Sequence, residues 1–303
     1  MNFLKEHLNV WWLRPEQALW DAIASEVAAP FPMQNPALDL GCGNGLYSFI
    51  SAGGAFGPGY DWFVHARSQG FGKNKDSYDV PFEVDPAPHI ARRPRWRFAW
   101  GFDHKENLLA QSARLGFYGG LRCGDAHQRL PFPDGSLKTV YSNILYWLKD
   151  PRARLREFHR LLAPGGKVIL CLQDPSFKRT CESYQWKTRR SPLLKMLNRG
   201  RAECHYWTVT EAQLRSLARG AGFKVAHHET YLSASTLSFW DVGLRPIFPP
   251  LLEMTKRLRS ADRGEVKALW MRTVLPLMEE MLVIDRRDRR PGGYHFVVLE
   301  RRA

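Results

Sequence analysis

The stretch Ala37-Leu38-Asp39-Leu40-Gly41-Cys42-Gly43-Asn44-Gly45 decides how this chain is read. Ala37–Leu40 is a short apolar run between Pro36 and a glycine loop, which predicts a buried strand. The glycines after it tolerate positive φ and let backbone N–H groups approach a ligand closely. A helix expected over 46–52, stopped by Gly53-Gly54, would aim its N-terminus at the loop. That arrangement favours a carboxylate or a phosphate. A glycine loop alone also makes ordinary turns. Here a strand precedes it, a helix follows it, and Asp103 and Asp125 end two later strands.

Outward from the loop, strands and helices alternate. Upstream, 14–29 reads as an amphipathic helix with Pro15 in its first turn and Leu19, Trp20, Ile23 and Val27 at helical spacing. Downstream, strands are expected at 97–103, 120–123, 137–145, 167–173, 223–231 and 294–301. Helices are expected at 104–115, from Asp150-Pro151 through Leu162, and from the Thr210/Gln213 capping box to Ala221. Two more are expected at 247–260 and 264–283. Such alternation implies an α/β fold with a mostly parallel sheet covered on both faces. Ligands of such sheets bind at the carboxyl ends of the strands. Residues 53–95 break the pattern, with six Gly, five Pro and seven aromatics. They are expected to form an ordered insertion packed on the domain, with Tyr60, Trp62, Phe63 and His65 helping to wall an acceptor site.

Two nucleotide-binding loops fit poorly. A dinucleotide fingerprint needs G-x-G-x-x-G and an acidic residue about 20 positions on. Here Leu46 stands where the third glycine belongs, and Asp103 lies far beyond that spacing. No GxxxxGK[ST] string exists, which excludes a P-loop. Four blocks in order, LDLGCGNG, WGFDHKENLLAQSARLG, CGDAHQRLPFPDGSLKTVYSNILYWLKDP and REFHRLLAPGGKVIL, resemble a class I S-adenosylmethionine-dependent methyltransferase. Within that superfamily they are similar to the ubiquinone/menaquinone-biosynthesis-like (methyltransferase type 11) group. The resemblance spans about residues 36–173, continues through TEAQLRSLARGAGFKVAHHETYL and ends with GYHFVVLER.

The resemblance implies a Rossmann-like, seven-stranded, mostly parallel sheet with helices on both faces. It implies S-adenosyl-L-methionine as cofactor and S-adenosyl-L-homocysteine as product. Asp39, Gly41, Cys42, Gly43 and Gly45 would lie along the methionine part of the cofactor. Asp103, with His104 beside it, would accept from the ribose hydroxyls. Asp125 would accept from the adenine amino group, Ala126 N–H would pair a ring nitrogen, and Asn143 would line the cofactor. Asp39 could instead order the loop, Asp103 could cap a helix, and Asp125 could serve a turn.

The acceptor side is expected among Tyr60, His65, Tyr146, Trp147 and Tyr206. His205 and Asp174 are the candidate bases, although a base is needed only for a weakly acidic hydroxyl or a protonated amine. Their structural alternatives are a packing histidine and a helix or turn cap. Some relatives carry a histidine just after the fourth strand, where this chain has Tyr146-Trp147. His227-His228 alternates across a strand and cannot chelate one metal from one face. No HExxH or CxxC spacing occurs, so no metal is expected.

The chain has 303 residues, 44% hydrophobic and 24% charged, which is ordinary globular composition. One methyltransferase domain over 1–303 is expected. Its parts are an N-terminal helical cap (1–32), the insertion (53–95), a basic acceptor-side segment (176–209) and a helical elaboration (245–290). Five unpatterned cysteines and the lack of a signal-like h-region or a long apolar run suggest a reduced, cytoplasmic protein. Net charge is +14, and residues 176–220 contribute ten Lys/Arg against three Glu. That suits a solvated face, an acidic small-molecule acceptor, nucleic acid or an anionic membrane surface. The expected activity is methyl transfer to an O or N atom of a small or medium-sized acceptor, such as a glycan or specialised metabolite. RNA methylation and a non-catalytic cofactor-binding scaffold are the alternatives.

Overall fold

A computed structural model describes residues 2–65, 84–198, 200–290 and 292–302. Part of the 53–95 insertion therefore lies outside the described residues. The chain opens with α1 (Phe3–Val10) and α2 (Pro15–Ala28), then β1 (Ala37–Leu40) and α3 (Leu46–Ser51). The insertion contributes β2 (Ala55–Phe56) and β3 (Ile90–Arg92), an antiparallel pair. The alternating part runs β4 (Phe98–Asp103), α4 (Glu106–Arg114), β5 (Tyr118–Cys123), β6 (Leu137–Ser142), α5 (Pro151–Leu161) and β7 (Leu162–Gln173). Short helices follow: α6 (Pro175–Thr180), α7 (Trp186–Arg189), α8 (Pro192–Asn198) and α9 (Arg201–Cys204). The chain closes with α10 (Glu211–Gly220), β8 (Phe223–Tyr231), α11 (Ala234–Ser238), α12 (Phe248–Lys256), α13 (Ser260–Arg287) and β9 (Tyr294–Arg301).

The main sheet has seven strands in the order β5-β4-β1-β6-β7-β9-β8. The first five are parallel, and β9 runs antiparallel between β7 and β8. This is the Rossmann-like sheet expected from the sequence. Alternation along the strands divides the core. Leu38, Leu40, Val140, Val168 and Leu170 pack toward the layer that includes α5 and α10. Ala37, Tyr141, Ile169 and Cys171 pack toward α1, α2 and α13.

Local chemistry explains the differences from expectation. Helix α1 escapes a reading based on charge because Lys5, Glu6 and His7 break its apolar run in sequence, although Lys5 and Glu6 lie off the buried face and His7 is itself buried. Asn2 caps it by accepting from Lys5 N at 3.0 Å. Strand β6 ends at Ser142 because a 3-10 turn, Leu145–Trp147, takes over. Strand β7 begins before the Pro164-Gly165-Gly166 turn, with Leu162 paired to Leu137 across a register irregularity. Helix α13 absorbs Pro276 and extends beyond both expected ends. None of the helices among the described residues is long and apolar enough to cross a membrane.

The insertion is held between the two ends of the chain. Trp62 packs edge-on against Trp11 at 4.6 Å, and Phe63 meets Phe248 at 5.4 Å. Asp61 accepts from Trp12 Nε1 at 2.9 Å and pairs with Arg263 at 2.5 Å. Lys267 Nζ donates to the carbonyls of Tyr60 at 2.5 Å and Pro58 at 3.1 Å. Trp62 is buried. Trp62→Ala should therefore cost about 3–5 kcal/mol of urea-unfolding free energy. A loss below about 1 kcal/mol would mark the insertion as loosely attached decoration.

His7 on α1 is also buried, with Nε2 2.9 Å from Ser25 Oγ, which lies 2.6 Å from Ser51 Oγ. Burial pushes its imidazole down from 6.5 to about 3. The unfolded chain thus takes up this proton first as pH falls. Stability from the neutral ring is whole above pH 6.5 and is lost toward pH 3, with a limiting slope of about 1.4 kcal/mol per pH unit. His7→Gln should flatten the decline of urea midpoints between neutral and about pH 4.5. An unaltered acid profile would count against a neutral buried ring.

Candidate active site

The glycine loop is shaped by its neighbours. Gly41, Gly43 and Gly45 have φ of +84°, +54° and +75°, a region that side chains disfavour. At Gly41 a Cβ would also stand 2.6 Å from Ile144 Cγ2. The N–H groups of Gly41 and Cys42 donate to Phe102 O at 2.8 and 3.2 Å. Gly43 N–H donates to Asp103 Oδ2 at 2.9 Å, while Asp103 Oδ1 accepts from Lys105 N at 3.0 Å. Ser112 Oγ donates to Gly43 O at 2.7 Å. The loop is therefore tied to the tip of β4 and to α4. Asp39 sits behind it, accepting from Ser48 Oγ at 2.6 Å and Tyr118 OH at 2.8 Å. Burial raises its carboxyl to about 6. Asp39 ties β1 to α3 and β5 behind the loop and does not line the cavity described next.

A cavity of about 270 Å³ opens at the carboxyl ends of the strands. At one end stand Gly41, Cys42, Gly43, Asn44, Asp103 and His104. Asn143 and Ile144 continue the wall from the end of β6. The other end is a chamber of aromatic rings: Trp11, Trp20, Tyr47, Tyr141, Tyr146, Trp147, Phe177, Tyr231, Trp240 and Tyr294. Trp20 lies 4.9 Å from Trp240 and 5.0 Å from Tyr294, centre to centre. Asp21, Arg201, His205 and Cys171 join the tyrosines as the charged or titratable groups that the described residues set into that chamber wall.

His205 is buried, and its Nδ1 is occupied. Gln173 Nε2 lies 2.9 Å away and Tyr184 OH 2.5 Å away. Burial, Arg201 and Lys178 push its pKa down to about 3. A ring so reluctant to take a proton is a poor base at neutral pH, which argues against the expected base role. Tyr146 and Trp147 flank it, at 5.0 and 5.9 Å between ring centres.

Other expected site residues lie elsewhere. Asp174 caps α6 by accepting from Ser176 N at 2.7 Å and approaches His295 Nε2 at 3.2 Å, so its structural role prevails. Tyr60 is buried on Phe56 at 4.5 Å, and His65 is exposed. Among the described residues of the insertion, Trp62 approaches the chamber from behind Trp11 and none lines it. Tyr206 is half exposed, with Lys149 Nζ 5.7 Å from its ring centre. Asp125 also lies outside the cavity, accepting from His127 N at 2.8 Å and Nδ1 at 2.9 Å. Those His127 donors hold its carboxyl below the usual range. Ala126 O accepts from Arg154 Nη1 at 2.8 Å, and Gln128 O accepts from the same nitrogen at 2.7 Å.

Sequence reading missed Trp11, Asp21 and Arg201. The signal for Asp21 was weak, since α2 also buries Glu16 and Ser25 among its apolar residues. Arg201 was hidden in a run of cations. The donor set fits S-adenosylmethionine at the loop end. Glycine backbone borders the cavity there, a carboxylate stands at the rim, and the buried Asn44 Nδ2 has no hydrogen-bond partner among the described residues.

A family model described as a methyltransferase domain matches residues 12–228. A malonyl-[acyl-carrier protein] O-methyltransferase of Halorhodospira halophila is 34% identical over 93 residues. That match covers 30% of this chain and 26% of the relative, so it spans about a quarter of the relative's length. Among solved structures, a Haloferax volcanii methyltransferase complexed with the Trm112 activator is 17% identical, with a TM-score of 0.48 over 95% of this chain and 92% of the other. An S-adenosylmethionine-dependent methyltransferase of Mesorhizobium loti is 14% identical, with a TM-score of 0.45 over 91% and 96%. The chain belongs to the methyltransferase-domain family.

Proposed function

We propose that the chain methylates an O or N atom of a small or medium-sized acceptor seated in the aromatic chamber. The observation that carries this reading is the continuity of one cavity, from the Gly41–Asn44 loop and Asp103 to the chamber. When bound, S-adenosylmethionine supplies a methyl group on a cationic sulfur, which is the hard part of the chemistry. The protein's own work is then alignment and exclusion of water. Holding an acceptor atom in line can account for about 7–11 kcal/mol of the barrier.

In this reading Asp103 accepts from the ribose hydroxyls with the oxygen capacity left by its two backbone donors. Gly41, Cys42, Gly43 and Asn44 border the methionine portion, and Asn44 Nδ2 offers its spare N–H to the amino acid carboxylate. Asn143 and Ile144 separate the two ends of the cavity. Asp125 and Ala126 serve the adenine from the tip of β5 after Asp125 exchanges its His127 contacts. Arg201, stacked 5.1 Å from the centre of the Trp240 ring, offers a partner for an acidic group on a glycan or specialised metabolite.

Asp103→Ala should weaken S-adenosylmethionine and S-adenosylhomocysteine binding by about 1.5–3 kcal/mol in titration calorimetry. Native-like far-UV circular dichroism would separate that effect from unfolding. Equal affinity in the variant would remove Asp103 from the site. A wild-type protein giving neither heat nor a melting shift with either compound would overturn the proposed function.

A further inference from the structure

Among the described residues, the cavity wall carries two carboxylates, Asp21 and Asp103. Asp103 is engaged at the loop end. Asp21 stands in the chamber on α2, nearly buried. Gln17 Nε2 donates to Asp21 Oδ1 at 2.9 Å. The Gln17 carbonyl oxygen accepts from Arg14 Nη2 at 3.4 Å and Trp240 Nε1 at 3.5 Å, so both ends of the amide are assigned. Arg14 is itself paired with the buried Glu16 at 3.0 Å. Gln17 is thus a positioning residue, holding Asp21 toward the rings.

The surroundings favour a cation. Trp11, Trp20, Tyr47 and Tyr141 share the chamber with Asp21. Burial holds the phenols of Tyr47 and Tyr141 above their usual range, so they stay neutral. Aromatic faces beside a partly dry carboxylate attract ammonium groups. A carboxylate acceptor pressed against Asp21 would instead meet like charge.

We propose that the acceptor is a primary or secondary amine that docks against Asp21, and that Asp21 takes the ammonium proton before methyl transfer. The inference rests on the preceding reading that methyl transfer occurs in this cavity. An ammonium N–H passes its proton to an Asp21 carboxylate oxygen. The freed nitrogen pair forms the N–CH₃ bond as the S–CH₃ bond of the sulfonium donor breaks, its pair returning to sulfur. The proton on Asp21 then leaves to solvent. Burial raises the Asp21 carboxyl to about 7, with Glu16 adding to the rise and Gln17, Arg14 and Trp11 opposing it. A group near that value both accepts and releases protons at neutral pH. Arg201, which lies over the Trp240 ring, serves an anionic substituent of the same acceptor.

The test uses the full chain saturated with S-adenosylhomocysteine, which allows acceptor binding without turnover. Calorimetry at about pH 8 would compare cyclohexylamine, phenethylamine and tryptamine with the alcohol and carboxylate of each skeleton. At least one amine should bind roughly tenfold more tightly than its alcohol, and more tightly still than its carboxylate. Asp21→Asn should abolish that preference while S-adenosylhomocysteine affinity stays within about twofold. Wild-type discrimination needs no variant, so a poorly folding Asp21→Asn leaves the test intact. Binding of S-adenosylhomocysteine with no amine preference, or an undiminished preference in Asp21→Asn, would overturn this proposal alone. Failure of wild type to bind S-adenosylhomocysteine would overturn the cofactor reading and this proposal with it.

Discussion

The hydrogen bond from Gly43 N–H to the Asp103 carboxylate organises the molecule. It joins the tips of β1 and β4, two adjacent parallel strands, through a loop that only a backbone at positive φ can make. The Phe102 carbonyl reinforces the junction by accepting from both Gly41 and Cys42. Ser112 fastens the same loop to α4. A carboxylate that accepts from backbone donors cannot wander, so Asp103 is presented at the cavity rim in one orientation. The chemical end of the cavity is therefore built by the part of the chain with the strongest geometric constraints.

The opposite end is built differently. Its rings come from the end of α1, from α2 and α3, the strand tips, the 3-10 turn after β6, the short helices after β7 and the turn that follows α11. No single segment could bury so much aromatic surface alone. The long helix α13 and the insertion act as outer braces: Trp270 Nε1 donates to Trp12 O at 2.6 Å, and Trp62 backs Trp11.

The sheet was legible because its physics is local. An apolar run before a glycine loop, capped helices and acidic strand ends gave β1, β8 and β9 their boundaries, and the capping box at Thr210 located α10. The loop-end residues were legible for the same reason. The chamber was not, because it depends on side chains that meet only after folding. Asp21 reads as one acid on an amphipathic helix until Gln17, Trp11 and Trp240 surround it. His205 reads as a base until Gln173 and Tyr184 take its Nδ1. Tyr60 reads as a wall residue until α13 draws the insertion outward. Helices α6–α9 were obscured by a charge run whose individual members do unrelated jobs: Lys178 donates to His205 O at 2.7 Å, while Arg201 lies over an indole.

That last segment has an evolutionary consequence. Its helices are only four to seven residues long, yet they carry Phe177, Arg201 and, just beyond, His205. A mutation there reshapes one face of the chamber while leaving the Gly43–Asp103 junction untouched. Selection could exchange this module for another and redirect the catalyst to a new compound, with the methyl-donating apparatus inherited unchanged.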